Sequence, residues 1–405
     1  LDGLRGFAAL VVIAHHYSAA FYPTTMTGDP ATAHLPGHWE AWFAGSPVHV
    51  LLNFRVCFFF VLSGLVLAAS TAHAPRRWRA LPAQLVRRYV RLGVPVAAAL
   101  ALTYPLLRAH LLHNHALAEA TGAAWVGQFW PAVPPVAALG QDALYGVLLA
   151  GHTQLNPVLW TMVVEWYGSV LVLALLAAVG TRAWRLWLYA GLALAITLYR
   201  SLDFYYVGFL LGLGLYDVYQ RGWAARFTMP QRRLLIAGLL LTALFFTSYP
   251  QSYYSAPVSK AYSWMYLPGV GSGRTADMYY TLGAAALLGA VLLSARLRQL
   301  TMQPFLRRVG KRAFSLYLLH FVVLSSGSAG LFLWLRGQYS YHASFGLMLL
   351  PTVPVLWGSA ELFYRWVDVP SHTLARWLGR AVAARLASAR PDTLAPPQRD
   401  EAVGQ

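Results

Sequence analysis

The reading of this chain turns on its opening, LDGLRGFAALVVIAHHYSAAFY, residues 1–22. Apart from Arg5, His15, His16 and Ser18, the stretch from Leu4 onward is apolar or aromatic. At about 1.5 Å of rise per residue such a run crosses a hydrocarbon core of about 30 Å. Arg5 and His16 stand about three turns apart and so project from one face, about 16 Å from each other along the axis. His15 points about 100° away and cannot share that face. A cation and an imidazole at such depth face a protein interior or a wet cavity, and are candidates for function. The structural alternative makes Arg5 a snorkelling anchor and His16 a hydrogen-bond partner for a neighbouring helix. No small-residue cleavage site follows the run, which reads as a retained helix and not a removed signal peptide.

Working outward, the same character repeats. Of 405 residues, 58% are hydrophobic and 11% charged, where a soluble domain carries roughly a quarter charged residues. The mean hydropathy is +0.49. Apolar runs near residues 4–22, 48–70, 92–112, 157–180, 184–199, 202–219, 231–249, 275–294, 313–335 and 345–366 predict an all-α, polytopic membrane protein of about ten transmembrane helices. Residues 1–370 form the membrane domain in this reading. Residues 371–405 form a cytoplasmic tail that begins as an Arg-rich amphipathic helix and ends disordered. Two segments without Lys or Arg, 23–47 and 113–156, are expected to make an outer cap of short helices, with 134–151 too polar to span.

The net charge of +17 would suggest nucleic acid in a soluble protein. Here the basic residues cluster between apolar runs and follow the positive-inside pattern. Counting from Arg5 on alternate sides places 25 of the 31 Lys and Arg on one side. Arg200, Lys260, Arg274 and Arg336 fall on the other, while Arg55 and Arg108 lie within or at the outer ends of helices. An even number of spans with both termini in the cytoplasm of a plasma or inner membrane explains this distribution. The single cysteine, Cys57, excludes an intramolecular disulfide and sits in an apolar run where a thiol is inert.

Other chemistry-bearing residues have two readings each. Glu165 is deep in the fourth run with no basic neighbour on its own helix, so it needs a proton or a partner from another helix. Arg88 and Arg91, spaced i, i+3, share a face at the foot of the third helix and form either a phosphate clamp or part of the topology signal that includes Arg76, Arg77, Arg79 and Arg87. Tyr317 and His320 share a face of the ninth helix, lining a channel or forming an interhelical Tyr–His bond. Ser63 and Gly64 suit close helix packing, and a surface pair with Arg365 is sufficient for Glu361. His110, His113 and His115 lack carboxylate or thiolate partners at ligand spacing, so no metal is expected.

These motifs together resemble the acyltransferase-3 family of multi-spanning membrane acyltransferases. The opening matches that family's first helix, an Arg and a His with ten residues between, at Arg5 and His16. FFFVLSG at 58–64 is similar to its second helix, and RRYVRLGVP at 87–95 to its Arg-x-x-Arg segment, on Arg88 and Arg91. WTMVVEWY at 160–167 resembles its Trp and Glu helix, and FSLYLLH at 314–320 its Tyr-Leu-x-His helix. Where the family often has Glu-x-Pro, this chain reads Asp368, Val369, Pro370, and no role is carried over to that carboxylate. With a short tail after Pro370, the resemblance implies a transferase without a fused extracytoplasmic hydrolase-like domain.

The resemblance implies an acyl-CoA co-substrate, with acetyl-CoA expected, and an acceptor hydroxyl on a carbohydrate or lipid-linked glycan. His16 would act as base, by direct transfer or through an acyl-imidazole, with Arg5 and Glu165 beside it in the catalytic group. Arg88 and Arg91 would hold the donor phosphates, and Tyr317 and His320 would line its channel. The reading from another class is a transporter or exporter of an anionic metabolite or lipid, with Arg5, His16 and Glu165 as a coupling network. Such a protein favours repeated halves, and no internal repeat is visible.

Overall fold

The computed structural model describes residues 1–44, 55–71, 77–180, 182–250 and 262–388, and all regular structure among them is helical. Within the described residues each of the ten apolar runs carries a helix. We number them α1 (Asp2–Phe21), α2 (Arg55–Thr71), α3 (Arg77–Arg108), α4 (Trp160–Val179), α5 (Arg185–Leu198), α6 (Tyr205–Gln220), α7 (Met229–Thr247), α8 (Ser272–Leu293), α9 (Ala313–Arg336) and α10 (Tyr341–Phe363). Among the described residues seven helices are long and apolar enough to cross a membrane: α1, α3, α4, α7, α8, α9 and α10 with its continuation. The described parts of α2, α5 and α6 are shorter, at 17, 14 and 16 residues. An apolar run measures composition, whereas a helix also needs unbroken hydrogen bonding; α5 stops where Tyr199 turns extended.

Two helices run further than their apolar stretches. In α3, Arg, Gln and Leu are good helix formers, so the helix starts at Arg77 and carries Arg88 and Arg91 three to four turns inside it, not at its foot. α10 passes through a π-type turn, Tyr364–Asp368, into α11 (Val369–Ser388). The tail helix is therefore an extension of the bundle, packed along α3. Residues 389–405, the expected disordered end, lie outside the described residues, as do Arg76, Lys260 and residues 45–54, which take in the end of the outer segment 23–47 and the start of the second apolar run. The segment 134–151 forms helices Val136–Gln141 and Asp142–Ala150 against α3 and α4. Tyr89 and Tyr167 hydroxyls donate to the Leu144 and Leu149 carbonyls.

Lipid supplies no hydrophobic drive between helices, so small residues set the close crossings. α2 and α6 meet backbone to backbone, and a Cβ added at Gly64 would stand 2.2 Å from the Phe209 carbonyl oxygen. α1 meets the short helix Pro304–Lys311 in the same way, Gly310 lying against the Asp2 carbonyl. One core joins α1, α2, α4, α6 and α8 around Phe58, Phe60 and Phe209. A second joins α3, α4 and α9 around Leu100, Leu159 and Phe321. α7 is peripheral: it packs on α8 and leaves Leu234, Leu241 and Leu244 exposed, a surface suited to lipid.

Candidate active site

Between the two cores lies a cavity of about 720 Å³, bordered by Asp2 and Arg5 at the start of α1. Its wall holds Arg5 of α1, Arg87, Arg88 and Arg91 of α3, Lys311 and Arg376, against the carboxylates Asp2, Glu165 and Asp368. Clefts lined mainly by one sign of charge focus the field and attract counter-charged ligands.

The cations are not equivalent. Arg88 forms an ion pair with Glu165, and its Nε–H donates to Ser169 Oγ at 2.9 Å. Ser63 Oγ–H donates to the same carboxylate at 2.7 Å. Thr161, Glu165 and Ser169 follow at i, i+4 and i+8, so one face of α4 presents the whole set. The partner that Glu165 needs is thus Arg88, and Ser63 contributes a hydrogen bond where only packing was expected. Arg5 pairs with Asp2 at 3.3 Å on the same helix. No ion pair joins Arg91 to a carboxylate among the described residues. Arg88 and Arg91 do share the cavity wall, but the guanidinium of Arg88 is already engaged.

At its inner end the cavity is bounded by Val12 of α1, Leu92 and Met162, and Tyr317 of α9. The Tyr317 hydroxyl bonds Thr161 Oγ1 at 2.5 Å and donates to the Val158 carbonyl. One turn beyond Val12 and Tyr317 come His16 and His320, whose rings meet with His16 Nδ1 2.9 Å from His320 Nε2. His320 is fully buried, and its Nδ1 lies 2.7 Å from the Tyr317 carbonyl oxygen. A carbonyl only accepts, so Nδ1 of His320 carries the proton and its Nε2 accepts from His16 Nδ1–H. That order leaves Nε2 of His16 as the basic nitrogen. A histidine oriented through its second nitrogen is the arrangement that nucleophilic and general-base sites share. Trp125 and Phe321 flank the His16 ring, with centroids at 5.9 and 5.7 Å. His15 is buried beside it, the His15 and His16 ring centroids 5.5 Å apart.

Function follows from the comparison of this chain with known proteins. A family model described as an acyltransferase domain matches residues 1–361. The chain belongs to the acyltransferase-3 family. It is similar to "Acyltransferase R4" of Phoma sp., at 22% identity over 459 residues that cover 94% of this chain and 95% of that protein. No solved structure matches it. Membership makes the chain an acyltransferase of the membrane and disfavours the transport reading.

All seven residues singled out from this acyltransferase's sequence lie on or one turn beyond the cavity. Arg5, Arg88, Arg91, Glu165 and Tyr317 line it, while His16 and His320 pair behind it. His320, expected along the donor channel, instead holds His16. Sequence reasoning missed Ser169 and Thr161, although their four-residue spacing from Glu165 was a usable signal. It carried no role over to Asp368 and left out His372, and the two face each other at 3.4 Å in the cavity wall beyond the family match. Glu361 pairs with Arg365 at 2.5 Å as expected, and also with Arg312 from the turn before α9. Among the described residues no group of three or more His, Cys, Asp or Glu side chains is placed to hold a metal ion.

Proposed function

We propose that this acyltransferase takes an acyl group, acetyl in the first instance, from acyl-CoA and places it on a hydroxyl of a carbohydrate or lipid-linked glycan. In this reading the cavity opens to the cytoplasm, both termini lie there, and the membrane is the plasma or inner membrane. The observation that carries it is the His16–His320 pair standing one turn beyond Val12 and Tyr317 in the wall of a cation-lined cavity.

Arg91, Arg5 and Lys311 attract the donor's phosphates, because guanidinium and ammonium groups bind phosphate oxygens through charge-assisted bonds. The Arg88–Glu165 pair keeps α3 and α4 in register beside the passage. The thin pantetheine arm reaches towards Tyr317 and delivers the thioester carbon to His16. Nε2 of His16 takes the proton of the acceptor hydroxyl while its oxygen attacks that carbon. When the tetrahedral intermediate collapses, the C–S bond breaks and the CoA thiolate takes the proton from His16. The alternative order places the acyl group on Nε2 first, releases CoA, and then lets the hydroxyl attack the acyl-imidazole. His320 stays in place in both orders and holds the ring.

The test is release of CoA from acetyl-CoA by the purified chain in detergent micelles. It is joined to mass spectrometry of surface glycans and lipids from producing and deletion cells. A gain of one acetyl mass in one acceptor class is expected. Movement of a solute by the reconstituted protein with no acyl-CoA consumed would sink the proposal.

A further inference from the structure

A second cavity of about 400 Å³ lies between the first turns of α3 and the tail helix α11. Gln84, Arg87 and Arg376 line both cavities, so the two are contiguous, and the smaller one adds Arg380. Three arginines therefore converge on a space that continues the large cavity outward. None of the three forms an ion pair with a carboxylate among the described residues. Arg376 donates only a long bond, 3.4 Å, to Thr373 on its own helix.

The close fit of the two helices shapes this space. A Cβ added at Gly379 would stand 2.2 Å from Cγ of Arg87 and 2.5 Å from its Cδ, so glycine is what lets the stem of Arg87 cross α11. Basic residues that serve only topology or the anionic leaflet gain nothing from convergence, because like charges held around one concavity repel. An anion bound between them removes that repulsion.

We propose that the smaller cavity is the subsite for the phosphate farthest from the thioester, the 3′-phosphate on the donor's ribose. The tail helix thereby makes the enzyme distinguish a 3′-phosphorylated nucleotide donor from its dephosphorylated form. The inference rests on the acyl-CoA reading above. It adds residues that lie after position 361, where the family match ends. The donor carries two separate anionic groups, a diphosphate and a ribose 3′-phosphate, and the cations here divide between those that line the large cavity alone and those that line the smaller one. Arg91, Arg5 and Lys311 serve the first, and Arg87, Arg376 and Arg380 serve the second.

The experiment is calorimetric titration of the full chain in detergent micelles with CoA and with 3′-dephospho-CoA. The native protein should bind CoA about ten-fold more tightly, the worth of one charge-assisted contact. In R380A and in R376A, each checked by thermal melting, that preference should shrink towards equality while 3′-dephospho-CoA binds as before. Gly379→Leu, which displaces the stem of Arg87, should shrink it as well. Equal native affinity for the two nucleotides, or variants that weaken both alike, would overturn the subsite and leave the donor reading standing. Failure of the native protein to bind either nucleotide would bring down the donor reading and the subsite with it. If phosphatidylglycerol added to the micelles binds in an Arg380-dependent way and the nucleotides are not discriminated, the site belongs to lipid headgroups and the proposal is wrong.

Discussion

At the scale of single residues, two adjacent histidines have different fates because a helix turns 100° per residue. His16 faces His320, whereas His15 is turned into the protein. His16→Ala should lower acyl transfer by about 10² to 10⁴, the usual worth of a general base, with little change in melting temperature. His15→Ala should keep most activity. His320→Ala removes the group that holds His16, so kcat should fall while the KM for acetyl-CoA stays near its native value. Steady-state kinetics on the three purified variants checks this set. A well-folded His16→Ala with normal turnover would show that the imidazole pair is structural.

At the scale of elements, α3 and α4 are tied by a charge pair that neither helix could satisfy alone. Replacing Glu165 by Gln leaves the Arg88 guanidinium without its counter-charge at a site where both side chains are at least 85% covered (15% and 11% exposed). Breaking a buried pair from one side costs about 3–5 kcal/mol, so Glu165→Gln should lower the melting temperature clearly. The double variant Arg88→Met, Glu165→Leu should recover much of that loss. The crossing of α1 over Pro304–Lys311 is a second such test. A Cβ at Gly310 would stand 1.7 Å from the Asp2 carbonyl oxygen, so Gly310→Ala must push two backbones apart. A loss of about 1–3 kcal/mol is expected, as for other overpacked contacts. The shift carries Arg5 on one helix and Lys311 on the other away from each other, so the variant should also bind CoA more weakly. Thermal melting and CoA titration measure the two effects.

At the scale of the whole molecule, the charge distribution predicts the orientation of the bundle. Reporter fusions at Gly28, Gly127 and Gln338 should all report the outer side, and a cytoplasmic signal at Gly127 would overturn the map. Pro257, another expected outer position, lies outside the described residues. The cavity belongs to this scale too, since its wall draws on α1, α2, α3, α4, α9 and α11 together with Lys311.

The apolar runs, the spacing of Arg5 and His16, and the three-residue steps from Arg88 to Arg91 and from Tyr317 to His320 were legible before any coordinates. Each depends only on the period of one helix and on the cost of polar groups in lipid. By those local rules the sequence alone determined an all-helical membrane bundle and the faces on which the chemistry lies, while the family came from the resemblance of its motifs and the family match. The same rules could not say that His16 meets His320 or that Glu165 meets Arg88, pairs separated by 304 and 77 positions. Nor could they show that α3 starts at Arg77, fifteen residues before its apolar run at 92, or that the tail helix returns to α3 and lines the cavity. Those outcomes depend on which helices approach closely, and that is decided by small residues such as Gly64, Gly310 and Gly379 meeting particular partners. The period of a helix is a property of its own chain, whereas the choice of neighbour is a property of the packed whole.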